Sequence, residues 1–119
     1  MIRVIDLDKS IAFYCDYFQM KLIRRKDYPG GEFTLAFLGY GEEHNSTVIE
    51  LTYNWGRKDN YDLGNGFGHL AIGVPDIYKT CKKLADAGLD IPRPPRSNGS
   101  RWKHNCFYKR PRWLFDRTD

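Results

Sequence analysis

The chain has 119 residues, of which 41% are hydrophobic and 29% charged. That is enough for one domain of about 100–150 residues, or for a protomer that completes its core in an oligomer. Collagen-like, wholly disordered and membrane-embedded classes are excluded by composition, and no run approaches the roughly 20 apolar residues of a membrane helix. No charged-then-apolar secretory signal opens the sequence. Cys15, Cys81 and Cys106 lack CxxC spacing, so neither a disulfide framework nor a zinc knuckle is expected, and a reducing cytoplasm is the default. The net charge of +4 is unevenly spread. From Arg96 onward seven Lys/Arg oppose two Asp, a balance of +5, whereas residues 1–95 carry 12 basic and 13 acidic residues, a balance of −1. The body of the chain is near neutral, and a nucleic-acid surface would rest on the last fifth alone.

Met1 to Ile5 is short, apolar and β-branched, and predicts a strand. Asp6 is placed to cap a helix whose apolar stripe is Ile11, Tyr14, Cys15 and Phe18, spaced i, i+3, i+4, i+7. Lys21 to Lys26 reads as a strand and Pro29-Gly30-Gly31 as a turn. Phe33, Leu35 and Phe37 alternate with Thr34, Ala36 and Leu38, a strand with one well-filled face. A polar loop covers Gly39 to Ser46. Thr47 to Tyr53 follows as a strand with Val48, Glu50 and Thr52 on one face and Ile49, Leu51 and Tyr53 on the other. Asn54 to Gly68 reads as a linker. Phe67 to Val74 predicts a strand with His69, Ala71 and Gly73 on one face and Leu70, Ile72 and Val74 on the other. Asp76 then caps a second helix, with Ile77, Cys81, Leu84 and Ala85 inward and Gly88 at its end.

The order strand, helix, strands, then strand and helix again is a repeat. A shift of 70 positions brings Val4 onto Val74, Asp6 onto Asp76, Leu7 onto Ile77 and Ser10 onto Thr80, which implies two tandem copies of one unit.

Glu50 and His69 each sit in the middle of a predicted strand. Strands disfavour Glu, and a buried carboxylate is costly unless paired. His69 has only small neighbours on its face. A carboxylate oxygen with an imidazole nitrogen suits Zn, Ni, Co, Mn or Fe. Residue type alone favours the plainer roles, a solvated Glu50 and a hydrogen-bonded structural His69. The repeat shifts that balance. Displaced by 70, His69 points to the position just before Met1, and Glu50 points just past the end of the chain. A pseudo-symmetric site of two His and two Glu would keep these inner two and narrowly miss the outer two, at positions −1 and 120.

The stretches Ile2-Arg3-Val4, Asp6-Leu7-Asp8-Lys9-Ser10-Ile11, Phe33-Thr34-Leu35-Ala36-Phe37, Val48-Ile49-Glu50-Leu51-Thr52-Tyr53-Asn54-Trp55-Gly56 and Gly66-Phe67-Gly68-His69-Leu70-Ala71 closely resemble glyoxalase I (lactoylglutathione lyase) of the bacterial type. The match covers about residues 1–95, and the glutamate strand running into Asn-Trp-Gly is its most specific part. The resemblance implies an α+β fold of paired βαβββ modules, the vicinal oxygen chelate or glyoxalase fold, with the second module incomplete. Module one would span about 1–55, the start of module two about 66–95, and 96–119 would be an aberrant basic tail. It further implies a divalent metal, Ni or Zn, held by two His and two Glu, and a homodimer in the cytoplasm with sites built from both subunits. The implied substrate is the glutathione–methylglyoxal hemithioacetal. On this resemblance a bound metal would polarise the substrate's oxygens and a carboxylate would move a proton from C1 to C2 through an enediolate, yielding lactoylglutathione and detoxifying methylglyoxal. Glu50 and His69 match the second and third metal ligands. Arg3 and Asn54 match positions that hold the glutathione moiety, and a guanidinium suits a carboxylate of that tripeptide. The first His ligand and the last Glu, often assigned as the catalytic base, are absent, which leaves the catalytic residue unassigned and this chain's activity expected to be impaired.

From Arg96 the resemblance stops. Codons can be chosen for Arg101 to Asp119 such that reading one base later gives Asp-Gly-Asn-Thr-Ile-Ala-Phe-Ile-Lys-Asp-Pro-Asp-Gly-Tyr-Leu-Ile-Glu-Leu-Thr, which looks like the missing C-terminal strands and the last Glu. A frameshift near Pro95–Arg96 is therefore expected, with true initiation several residues upstream of Met1. On that reading Trp102, Tyr108 and Trp113 among basic residues are no nucleic-acid surface, and neither nucleic acid nor membrane is an expected partner. Two other classes remain open: a different metal-dependent enzyme of the fold, such as a dioxygenase, and a metal-free small-molecule binding module. Asn54-Trp55-Gly56 argues against the first, and Glu50 would lack a purpose in the second.

Overall fold

A computed structural model describes residues 1–97 and 104–107, with residues 93, 96, 97 and 104–107 described by their backbone. Two compact units divide the described chain, one holding Met1–Gly64 and the other beginning at Asn65. The first unit contains β1 (Ile2–Arg3), α1 (Leu7–Phe18), β2 (Lys21–Tyr28), a short 3₁₀ turn (Pro29–Gly31), β3 (Phe33–Gly39) and β4 (Val48–Asn54). The second contains α2 (Ile77–Asp86), β5 (Arg93–Ser97) and β6 (His104–Phe107).

In the first unit the sheet order is β1-β4-β3-β2. β1 runs parallel to β4, and the other pairs are antiparallel. The parallel pair needs a crossover, which α1 supplies. The helix starts where the sequence says it should: the Asp6 carboxylate accepts from the Lys9 N–H at 3.0 Å. It ends at Gln19 in the left-handed region, φ 53°. The Tyr40 hydroxyl donates to the Phe18 carbonyl at 2.6 Å, tying the end of α1 to the sheet, and burial pushes that phenol upward from its usual range.

The helix stripe is rotated from the expected one. Leu7, Ser10, Phe13, Tyr14 and Phe18 are buried, while Ile11 and Cys15 are half-buried. In β3 one of the two alternating rows is buried and the other is not. Thr34, Ala36 and Leu38 are the buried row, and Phe33, Leu35 and Phe37 are half-exposed. The reason is steric. α1 brings three aromatic rings of its own to the sheet, Phe13 and Tyr14 meeting edge to face at 5.1 Å and Phe18 beside them, so the strand beneath must be small. The core of this unit is Val4, Tyr14, Ala36, Leu38 and Leu51, all fully buried.

In the second unit Asp76 caps α2 as expected, accepting from Tyr78 and Lys79 N–H at 3.0 and 3.1 Å. Gly88, at φ +93°, ends it, with the Leu89 N–H returning to the Leu84 carbonyl at 3.0 Å. Cys81 and Leu84 are buried, whereas Ile77 is only half-buried and Ala85 is exposed. Cys81 is disulfide-bonded, which the wide sequence spacing of the cysteines did not disclose, and Cys15 is free.

Phe67 to Val74 differs from the sequence expectation. Its exposure alternates with period two, His69, Ala71 and Gly73 outward, but it pairs with no strand among the described residues. The equivalent strand of the first unit, β1, is paired with β4 among the described residues. Its counterpart in the second unit has no such partner described, and alternation without a ladder is not a strand. Conversely, β5 and β6 form an antiparallel pair where the sequence shows no clear alternation, because a backbone ladder is less demanding of side-chain pattern than a two-faced sheet is.

Leu51 is fully buried beneath α1. Leu51→Ala is expected to lower unfolding free energy by about 2–5 kcal/mol, read as a shift of the urea midpoint at unchanged slope. Because Tyr40 is raised by burial, its contribution holds below the ordinary phenol range and is lost as pH rises through its folded value. The melting temperature of Tyr40→Phe is accordingly expected to fall less steeply at strongly alkaline pH than that of the parent.

Candidate functional site

Register assigns the faces of the first sheet. Arg3 stands beside Thr52, Leu35 opposite Thr52, Phe37 opposite Glu50 and Phe33 opposite Asn54. Partners directly opposite share a face. Arg3, Glu50, Thr52 and Asn54 therefore line one face, together with Phe33, Leu35 and Phe37, and α1 covers the other. Arg24 and Lys26 of β2 join the same face, past a register irregularity between Leu22 and Arg24.

Glu50 is half-buried, and Arg3 is exposed. Among the described residues neither has an ion-pair partner. The two β2 cations on this face are engaged. Arg24 donates to Glu43 at 2.6 Å and lies 3.9 Å over the Phe37 ring, and the contact with Glu43 raises its pKa. Lys26 lies 5.2 Å over the Tyr28 ring. Thr52, 8% exposed, has a buried hydroxyl with no hydrogen-bond partner among the described residues. A buried polar atom without a partner is rare in folded proteins.

Asn54 is held on its amide side. Its Nδ2 donates to the Tyr61 hydroxyl at 3.0 Å, and its Oδ1 remains as an acceptor. The Tyr61 ring in turn carries the Arg57 guanidinium at 4.3 Å. Arg57 donates through Nε to the Asp59 carbonyl at 2.9 Å and through Nη2 to the Asn60 carbonyl at 3.1 Å. The linker expected after Asn54 is thus an organised loop next to the site.

The structure brings Arg3, Glu50 and Asn54 together on one face. His69 belongs to the unit that begins at Asn65 and is exposed on the segment with alternating exposure. No group of three or more His, Cys, Asp or Glu that could hold a metal is found among the described residues. The donor types nevertheless fit a divalent cation. Glu50 is a half-buried carboxylate with no counter-charge among the described residues, and His69 is an imidazole open to solvent. Each offers one donor, and neither completes a coordination shell. Sequence reasoning did not single out Thr52 or Tyr61. Thr52 could have been found from its i+2 spacing to Glu50, whereas the Tyr61 contact depends on a loop conformation.

A shallow recess of about 320 Å³, lined by Lys21, Leu22, Ile23, Tyr40, Gly41, Glu42 and Asn45, lies at the opposite end of the strands from Asn54 and contains none of these residues. No helix among the described residues is long and apolar enough to cross a membrane.

A mixed sheet with an acidic side chain on the face opposite its helix, followed by a second helix-bearing unit, defines a fold class that comparison with known proteins makes specific. Residues 1–104 match the family model of the Glyoxalase/Bleomycin resistance protein/Dioxygenase superfamily, and the chain belongs to that superfamily. It is 65% identical over 95 residues to a probable lactoylglutathione lyase of Synechocystis sp., covering 80% of this chain and 72% of that protein. It is 50% identical over 111 residues to a probable lactoylglutathione lyase of Vibrio parahaemolyticus, covering 93% and 80%. Among solved structures, glyoxalase I from Zea mays superposes with a TM-score of 0.82 at 42% identity, over 92% of this chain. The chain spans only 38% of that longer maize chain.

A carboxylate placed for ligand binding is expected to contribute little to the fold. Glu50→Gln should leave the urea unfolding free energy within about 0.5 kcal/mol of the parent, or raise it. A loss of several kcal/mol would identify Glu50 as a structural residue instead.

Proposed function

We propose that this chain is a metal-dependent lactoylglutathione lyase, isomerising the glutathione–methylglyoxal hemithioacetal to lactoylglutathione in the cytoplasm as a homodimer. The observation that carries the reading is that Arg3, Glu50 and Asn54 share the sheet face opposite α1. The 65% and 50% identity to proteins bearing that enzyme name supports it.

Glu50 and His69 would hold a divalent metal, Ni or Zn, with the remaining donors supplied from outside the described residues. When bound, the metal supplies Lewis-acid polarisation of the substrate's oxygens. Arg3, a cation without an ion-pair partner among the described residues, offers a planar fork to a carboxylate of the tripeptide. Asn54 offers Oδ1 to an amide or ammonium group. The half-exposed Phe33, Leu35 and Phe37 line the same face and keep that side of the sheet poor in water. The module boundaries near residues 55 and 66 and the out-of-frame origin of residues 96–119 belong to the same proposal. Codons from Arg96 onward that are incompatible with the one-base-later reading refute the frameshift.

The remaining donors lie outside the described residues, so the proposal is tested in a chain that carries an upstream His and the restored C-terminal frame, which should be active. The assay is the rise of thioester absorbance when methylglyoxal and glutathione are mixed with protein and Ni or Zn. An inactive restored chain that is folded by circular dichroism sinks the proposal. In the restored chain, Glu50→Ala and His69→Ala should each weaken metal binding in equilibrium dialysis by more than the roughly 10–100-fold seen for outer-shell changes. Stoichiometric metal retained in either variant removes that residue from the ligand set.

A further inference from the structure

Three side chains on the helix-covered face form a directional hydrogen-bond chain that ends next to Asn54. The Trp55 indole N–H donates to the Thr34 hydroxyl oxygen at 2.8 Å. The same hydroxyl donates its proton to Asp27 Oδ1 at 2.7 Å. Asp27, on β2, and Thr34, on β3, are register partners, so the bond spans adjacent strands. Thr34 is 4% exposed, and it accepts from one neighbour and donates to the other. The negative carboxylate at one end orients the hydroxyl proton, and that leaves the oxygen lone pair facing the indole. The Trp55 backbone N–H also donates to the Glu32 carbonyl at 2.8 Å, extending the β3–β4 ladder past the last strand residue. Immediately beyond, Gly56 turns the chain in the left-handed region, φ +76°.

We propose that Asp27, Thr34 and Trp55 are positioning residues that fix the exit of β4, and through it the side-chain amide of Asn54, for the peptide part of a thiol-tripeptide ligand. The inference rests on the assignment of Asn54 as a ligand-binding residue. Asn54 is the last residue of β4, and alternation puts its side chain on the opposite face from the chain of hydrogen bonds. A two-point hold on Trp55 therefore sets the plane in which Asn54 meets Tyr61 on one side and a ligand on the other. Without the hold, the loop carrying Gly56, Arg57 and Tyr61 is left at this end with its backbone bonds and the Asn54–Tyr61 contact.

The test uses the full chain and S-methylglutathione as the probe. Thr34→Val removes both side-chain bonds at constant volume, Thr34→Ser restores them, and Trp55→Phe removes only the indole donor. In the ligand-free protein, Thr34→Val and Trp55→Phe should move the Asn54 side-chain amide resonances in a ¹H–¹⁵N spectrum, and Thr34→Ser should leave them in place. Affinity for S-methylglutathione by calorimetry should fall about three- to tenfold in Thr34→Val and Trp55→Phe, the range of one lost hydrogen bond, and stay at the parental value in Thr34→Ser. Unmoved Asn54 resonances in Thr34→Val overturn the positioning role, whatever the ligand does. Parental affinity in Asn54→Ala overturns the ligand assignment of Asn54 instead, an outcome that the ligand-free resonances do not share. If Thr34→Val is too unstable to study, Trp55→Phe carries the same two readouts from a more exposed site.

Discussion

The packing of α1 on one face of a four-stranded sheet is the constraint on which the rest depends. The helix arrives with Leu7, Phe13, Tyr14 and Phe18, and the sheet receives it with Ala36, Leu38 and Leu51. That choice of face is binary. Side chains alternate along a strand, so burying Leu51 turns Glu50, Thr52 and Asn54 to the other side together, and a slip of one residue would reverse all of them. The carboxylate on the open face is a consequence of where the helix packs.

The open face departs from the usual economy of a small domain. It keeps aromatic rings half-exposed, a carboxylate and a guanidinium without ion-pair partners among the described residues, and a buried threonine hydroxyl with nothing among them to bond. Each lowers stability relative to what the same positions could provide, and a cluster of such departures on one surface is a mark of function. The helix-covered side obeys the opposite rule. There Thr34 is bonded on both sides and Ala36, Leu38 and Leu51 are closed off from water, which makes that side a rigid support for the other.

The two units repeat the same opening, a capping aspartate and then an amphipathic helix, and both caps form as their sequence positions require. Their strands set them apart. The first unit finds its parallel partner for β1 in β4. The second has a segment with the right alternation and an antiparallel pair, β5 with β6, and no strand beside that segment among the described residues. A βαβββ module closes only when its last strand returns to its first, so the lesson of the second unit is that alternation is a local property and a strand is a relational one.

Local chemistry was legible in the sequence alone. The caps at Asp6 and Asp76, the turn at Pro29, the end at Gly88 and the two faces of β4 from Val48 to Tyr53 come from spacing and residue type, because they depend on neighbours within a few positions. The fold family was legible as well, through the motif that carries Glu50 into Asn54-Trp55-Gly56. Other features were decided only by tertiary structure. Which face of β3 is buried depended on the bulk that α1 brings to it. The placement of Arg3 beside Thr52 depended on a parallel pairing across 49 positions of chain. The contacts of Asn54 with Tyr61, and of Trp55 with Thr34 and Asp27, depended on strand register and a loop conformation. Such contacts join residues far apart in sequence, and no local pattern encodes them.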